Sequence, residues 1–193
     1  MVRELSPEKR ERFLNAALQL FAAKGVQNTS TAEIAKLAGT AAGTLFIYFP
    51  TKQQLINELA IKLAKEQSRY IHSLLDPSMN ARDTFYKVWN GSIHWLLEHM
   101  EAFGYIQQVR DASMIPPEII AETGKSFDYY YLAIQKGLQE NAIKPYRIDL
   151  IGGFLYQDII AVMNILKLEV DPARQQEAID IGFEIFWNGI KES

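Results

Sequence analysis

Along most of this chain apolar positions recur every three or four residues, and proline or glycine ends each run. That pattern predicts helices and shows no strand. Phe13, Ala16-Ala17 and Leu20-Phe21 form the buried stripe of a first helix. Ser6-Pro7-Glu8 puts cap, first-position proline and first-turn acid at its start, and Gly25 closes it. Ser30 with Glu33 reads as a capping box opening a short helix that carries Ile34, Ala35, Leu37 and Ala38. Gly39 stops that helix in the left-handed conformation. A second short helix runs to about Phe49, where Pro50 ends it, and Thr51 with Gln54 caps a long helix over about 51–75. Two short helices around a glycine turn, at about 31–50, are the sequence form of a helix-turn-helix. That motif inserts its second helix into the DNA major groove.

Beyond Asp76-Pro77 a helix from about Ala81 carries Phe85, Val88-Trp89, Ser92-Ile93, Leu96 and Met100 on one stripe. A short segment, Ala102 to Ala112, precedes the Pro116-Pro117 break. One further helix then places Ile120, Thr123, Phe127, Tyr130-Tyr131, Ile134 and Leu138 on a single face. Pro145 and Asp171-Pro172 open the last two helices, about 146–168 and 172–190. The first of these is apolar nearly all round, so it must be buried on every side, and a second subunit would supply the missing surface. Ile151, Phe154, Leu155 and Val162, with Phe183 and Phe186 from the last helix, are the residues assigned to that interface. Gly152-Gly153 would let backbones approach closely, at a cost in helix propensity. The fold class is all-α. A three-helix helix-turn-helix domain over 1–52 is joined by the long helix of about 51–75 to a helical ligand-binding and dimerisation domain over 76–193.

Composition narrows the function. The chain has 193 residues, 48% hydrophobic and 22% charged, which is ordinary for a globular protein. It has no cysteine, which excludes disulfides, thiolate metal sites and cysteine nucleophiles. No basic-then-apolar leader opens it, Glu4, Glu8 and Glu11 argue against a transit peptide, and the apolar run Ile159 to Leu166 is too short to span a bilayer. A cytoplasmic location without a membrane partner is the expectation. Residues 1–70 carry a net charge of +4 and the remainder −7, so a polyanion would be drawn to the first part and repelled by the second. His94 and Glu98 share a helix face, but the paired Glu-x-x-His motifs of a di-metal bundle are missing, and no phosphate loop or Ser/His/Asp order is present. Neither metal nor cofactor is expected, and no enzyme.

Thr31, Ile34-Ala35, Ala38-Gly39, Gly43-Thr44-Leu45, Tyr48-Phe49, Lys52 and Leu55 resemble the N-terminal signature of the tetracycline-repressor (TetR-type) family. RERFLNAALQLFAAKG looks like that family's first helix, so the resemblance covers roughly residues 8–60. It implies DNA-contacting roles for Thr31, Thr40, Ala41, Gly43, Thr44, Leu45, Phe46, Tyr48 and Lys52. Small residues let the backbone sit close to the groove, and Thr hydroxyls and methyls suit base edges. Lys52 and the Tyr48 hydroxyl suit phosphates. The chain departs from the family in having Ala41 where a Ser cap is usual, with Thr40 as a substitute, and Phe46 where Tyr is usual.

Trp89, Ser92, Ile93, Leu96, Phe103, Phe127, Tyr130 and Tyr131 would line either an apolar pocket or a plain packed core. The resemblance favours a pocket for an inducer. The function implied is a ligand-responsive regulator, a repressor that binds palindromic operator DNA as a homodimer and is released by a small apolar or aromatic effector. The competing reading is a helical small-molecule carrier or sensor whose head contacts protein.

Overall fold

The computed structural model describes residues 5–192. Helix α1 (Pro7–Lys24) begins where the sequence placed it, with the Ser6 hydroxyl accepting from the Lys9 amide at 3.2 Å. It ends at Gly25, whose φ of +90° only glycine adopts without strain. In α2 (Thr31–Leu37) both halves of the capping box are formed. The Glu33 amide donates to Ser30 Oγ at 3.2 Å, and the Ser30 amide donates to the Glu33 carboxylate at 2.9 Å. Gly39, at φ +71°, turns the chain into α3 (Ala42–Tyr48).

Helix α4 (Lys52–Leu74) opens with the Gln54 amide donating to Thr51 Oγ1 at 3.1 Å. Then follow α5 (Ala81–Glu98), α6 (Met100–Asp111), α7 (Pro117–Gly124), α8 (Asp128–Gln139), α9 (Ile148–Leu166) and α10 (Pro172–Ile190). Among the described residues the only extended pairing is one isolated antiparallel bridge, Ile143 to Lys191. The protein is all-α.

The chain packs as two units, and their boundary differs from the division drawn from the sequence. The first unit holds residues 5–64 together with His99–Thr123, the second Lys65–Glu98 together with residues 124–192. Helix α4 therefore contributes to both. Helix α6 joins the head because its side chains complete the head's core. Tyr105 is fully buried, stacks on Phe21 with ring centroids 6.0 Å apart, and donates its hydroxyl to the Ile56 carbonyl at 2.6 Å. Burial pushes that phenol far above its ordinary range.

In the second unit α5, α8, α9 and α10 enclose a core in which Trp89 stacks on Phe186 and donates its indole N–H to the Ile179 carbonyl at 2.9 Å. The single long helix expected after Pro116-Pro117 is interrupted. A 3-10 turn over Lys125–Phe127 separates α7, which buries no residue, from α8. Gly124 has weak helix propensity, and a turn of three residues resets the face that follows. The buried side of α8 is Tyr129, Ala133, Ile134 and Gly137, of which only Ile134 lies on the expected stripe, and Ile120 and Tyr131 are exposed.

Two measurements check this packing. A Cβ at Gly182 would stand 2.7 Å from Val162 and 2.8 Å from Trp89. Gly182→Ala should therefore destabilise by about 1–3 kcal/mol in urea unfolding, although alanine favours helix. Glu33 is held at about 2 by the Lys24 hydrogen bond first and then by the Ser30 amide and hydroxyl. A folded value below the usual 4.5 stabilises above pH 4.5, and the benefit fades as pH falls toward 2. Glu33→Gln should flatten the decline in melting temperature across that window.

Candidate functional site

The head assembles from small helices held by aromatic contacts. Phe13 of α1 lies 5.5 Å from the Tyr48 ring and meets Phe49 edge-on at 6.3 Å, while Leu45, Ile34 and Phe49 are completely buried beneath α2 and α3. What α3 leaves outside is Ala41, Ala42, Gly43, Phe46 and Ile47, with Thr44 half-buried beside them. Gly43 and Ile47 stand four residues apart at the centre of this surface, flanked by Thr44 and Phe46. Ile47 is 63% exposed and Phe46 47%.

Several residues assigned to this surface are employed elsewhere. Leu45 is fully buried, because its stripe is the one that anchors α3, so its side chain is core and not contact surface. The Tyr48 hydroxyl accepts from the Ser6 amide at 3.2 Å, which ties α3 to the start of α1. Lys52 turns its ammonium to the Val26 carbonyl at 2.6 Å and over the Phe21 ring at 6.0 Å, and burial lowers its pKa from the usual lysine value. Thr40 does not cap α3. Its hydroxyl donates to the Ala35 carbonyl at 3.2 Å, and the N-cap Ala41 supplies no side-chain bond. Thr31, Ala41, Gly43, Thr44 and Phe46 remain at least partly accessible.

Sequence reasoning passed over Ile47, and also Arg12, whose guanidinium lies 3.8 Å from where a Cβ on Gly39 would stand, against the turn itself. The spacing of Ile47 from Gly43 could have found it.

Helix α6 grips the back of the head. The Gln108 side-chain amide accepts from the Val26 N–H at 2.8 Å and donates to the Phe21 carbonyl at 3.0 Å, bridging the end of α1 and the loop after it. Gln53 donates to the Met114 carbonyl at 2.9 Å. An open cleft of about 480 Å³ lies along this seam, lined by Val26, Gln27, Asn28, Gln108, Asp111 and Met114.

The eight residues assigned to a body pocket are not gathered together. Trp89 faces α10 and is part of the core, Tyr131 is 48% exposed, and Phe103 belongs to the first unit while the others belong to the second. Ile93 and Leu96 are buried. Ser92, Phe127 and Tyr130 do cluster, with Tyr129 as an unforeseen member. Tyr129 and Tyr130 have ring centroids 4.6 Å apart, and Phe127 lies about 6 Å from each. Ser92 Oγ and the Tyr129 hydroxyl are buried without a well-directed hydrogen bond. Burial pushes Tyr130 up to about 12, opposed by Ser92 and Tyr129 and reinforced by Tyr156.

The interface residues divide sharply. Ile151, Leu155, Val162, Phe183 and Phe186 are buried inside the protomer, because they are the stripe by which α9 and α10 pack on their own unit. Phe154 is 62% exposed, and Leu150 and Ile165 of α9 and Ile181 and Ile185 of α10 are exposed apolar side chains as well. By length and composition alone α9 could cross a membrane, which the sequence reading had excluded. The outward stripe of α10, however, also carries the exposed Arg174 and Glu177, which suit a protein surface and not lipid.

These features define an all-helical protein with a helix-turn-helix head. Residues 13–59 match the model of bacterial regulatory proteins of the tetR family. The chain is 31% identical over 100 residues to the HTH-type transcriptional regulator LuxR of Vibrio harveyi, a match spanning 48% of this chain and 49% of that protein. It superposes on the crystal structure of a TetR family transcription regulator from Marinobacter aquaeolei VT8 with a TM-score of 0.83, 25% identity and 96% of each chain covered. A protein assigned to the same family from Shewanella sp. PV-4 shares the fold with a TM-score of 0.88 at 23% identity, over 96% of this chain and 99% of that one. The head of the chain thus carries the N-terminal sequence of the tetR family, and the whole chain has the fold of that family's solved structures.

Gly43 has no neighbour within 4 Å of an added Cβ, and its φ is not in the left-handed region, so nothing inside the protein requires glycine there. Gly43→Ala should therefore raise stability by up to about 1 kcal/mol. A contact surface that needs close backbone approach predicts weaker duplex binding by the same variant, measured by fluorescence anisotropy beside a thermal melt.

Proposed function

We propose that this protein is a DNA-binding transcriptional repressor that acts as a homodimer on a palindromic operator and is released by a small effector. The observation that carries the reading is the α2–Gly39–α3 unit, whose outer face is left clear of intramolecular contacts while its inner face is fully buried. Two such heads would read half-sites about 34–36 Å apart or a multiple of that. The positive charge of the first 70 residues suits a polyanion. The location that follows is cytoplasmic.

The homodimer surface in this reading is the outward face of α9 and α10, centred on Phe154 and Ile185. Gly152 and Gly153 support it, since a Cβ on either would meet open space and the helix bears their propensity cost for no internal reason. The effector site is the Ser92–Tyr129–Tyr130 cluster with Phe127. Its hydroxyls would meet one polar atom of a largely apolar, uncharged molecule, and their unmet hydrogen-bonding capacity supports that role.

Retention on duplex DNA at low salt, lost steeply as salt rises, tests the head. Sedimentation tests the dimer. Wild type should be dimeric at micromolar concentration, Phe154→Glu monomeric with its fold intact, and Gly153→Ala weaker in association yet no less stable per protomer. A monomeric wild type would defeat the dimer.

A further inference from the structure

The contact surface of α3 is unusual in what it lacks. Its sequence, AGTLFIY, contains no Arg, Lys, Asn, Gln, Asp or Glu. The hydrogen bonds by which proteins recognise guanine, adenine and cytosine in the major groove are made chiefly by those side chains. With Leu45 in the core and the Tyr48 hydroxyl bound to Ser6, the surface retains one hydroxyl, on Thr44, and otherwise hydrocarbon. Ile47 and Phe46 are large, apolar and about half or more exposed, although neither is needed for the fold. The thymine 5-methyl is the one apolar group that a base pair presents in the major groove.

Charge around this apolar surface points to the same occupant. Arg12 lies against the Gly39 turn and Lys36 is exposed on α2, and among the described residues neither makes an ion pair. Arg10, Lys24 and Lys62, by contrast, are matched with Glu58, Glu33 and Glu11. Hydrocarbon flanked by unmatched positive charge suits a phosphate-bearing duplex with methyl groups on its floor better than the apolar surface of another protein.

We infer that Ile47, with Phe46 beside it, reads thymine methyl groups, so that discrimination between operators rests on apolar contact and not on hydrogen-bonded base recognition. The inference rests on the DNA-binding reading above and specifies it. Gly43, one turn before Ile47, lets α3 approach closely enough for a side chain as short as isoleucine to reach a methyl.

The experiment begins with selection from a random duplex pool by the full-length protein. The enriched duplex is then resynthesised with deoxyuridine replacing each thymine in turn, which removes only the methyl. At fixed salt, wild type should lose about fourfold in affinity at a contacted thymine, the value of burying roughly one methylene-sized group. In Ile47→Ala that loss should vanish at one thymine, and in Phe46→Ala at a neighbouring one. Both variants should melt with wild type, because both positions are exposed. Wild-type binding indifferent to every deoxyuridine, or losses that persist undiminished in both variants, would overturn the inference and leave DNA shape as the source of selectivity. Failure of any duplex to enrich would instead defeat the DNA-binding reading itself.

Discussion

A helix of seven residues does not persist in water, because nucleation costs more than so few hydrogen bonds return. Both α2 and α3 have this length. Their existence therefore depends on burying Ile34, Leu45 and Phe49, the last against Phe13 of α1, and on Gly39 allowing the abrupt change of direction between them. That constraint explains why the inner face of α3 admits no variation toward polar contact chemistry and why the Tyr48 hydroxyl serves the N-terminus of α1. Only the outer face is left to function, and it is small.

The same dependence explains the place of α6. Tyr105 and Gln108 reach into the head: Gln108 satisfies the Val26 N–H, a loop donor outside any helix, and the two side chains add further hydrogen bonds to the Phe21 and Ile56 carbonyls. Lys52 serves the Val26 carbonyl from α4. A buried backbone donor or acceptor without a partner costs about 1–3 kcal/mol. These side chains thus hold the loop between α1 and α2 in place, and the segment after α5 is as much a part of the head as the three helices before Pro50.

Features set by neighbouring residues were legible in the sequence: the Ser6 cap, the Ser30–Glu33 box, the glycine turns and the extent of α4. The fold class followed from them, and the resemblance to the TetR family rested on the signature positions between Thr31 and Leu55. Features set by helical phase over longer distances were not. Tyr129 escaped notice because the 3-10 turn at Lys125–Phe127 interrupts the helix, and periodicity read through Gly124 does not predict which side of α8 faces the core. The interface residues were misassigned for a related reason. In a helix apolar on all sides, such as α9, composition does not say which side its own protomer uses, and Leu155 and Phe154 look alike until the fold separates them. Ile47 was missed because it fell between motif positions, and Leu45 was included because it fell on one.

On a duplex, affinity and selectivity would come from different parts of this head. Charges more than about 8 Å apart are largely screened at physiological ionic strength, so the net charge of the whole chain matters less than the cations beside the contact surface. Arg12 lies against the Gly39 turn, while Arg10, Lys24 and Lys62 are spent on neighbouring carboxylates. Phosphate contacts made by such cations carry the sequence-blind, salt-dependent part of binding. An apolar α3 adds contacts that salt does not screen. A head built this way would lose affinity for all duplexes alike as salt rises while its ratio of specific to non-specific binding holds, because the sequence-blind component is common to both.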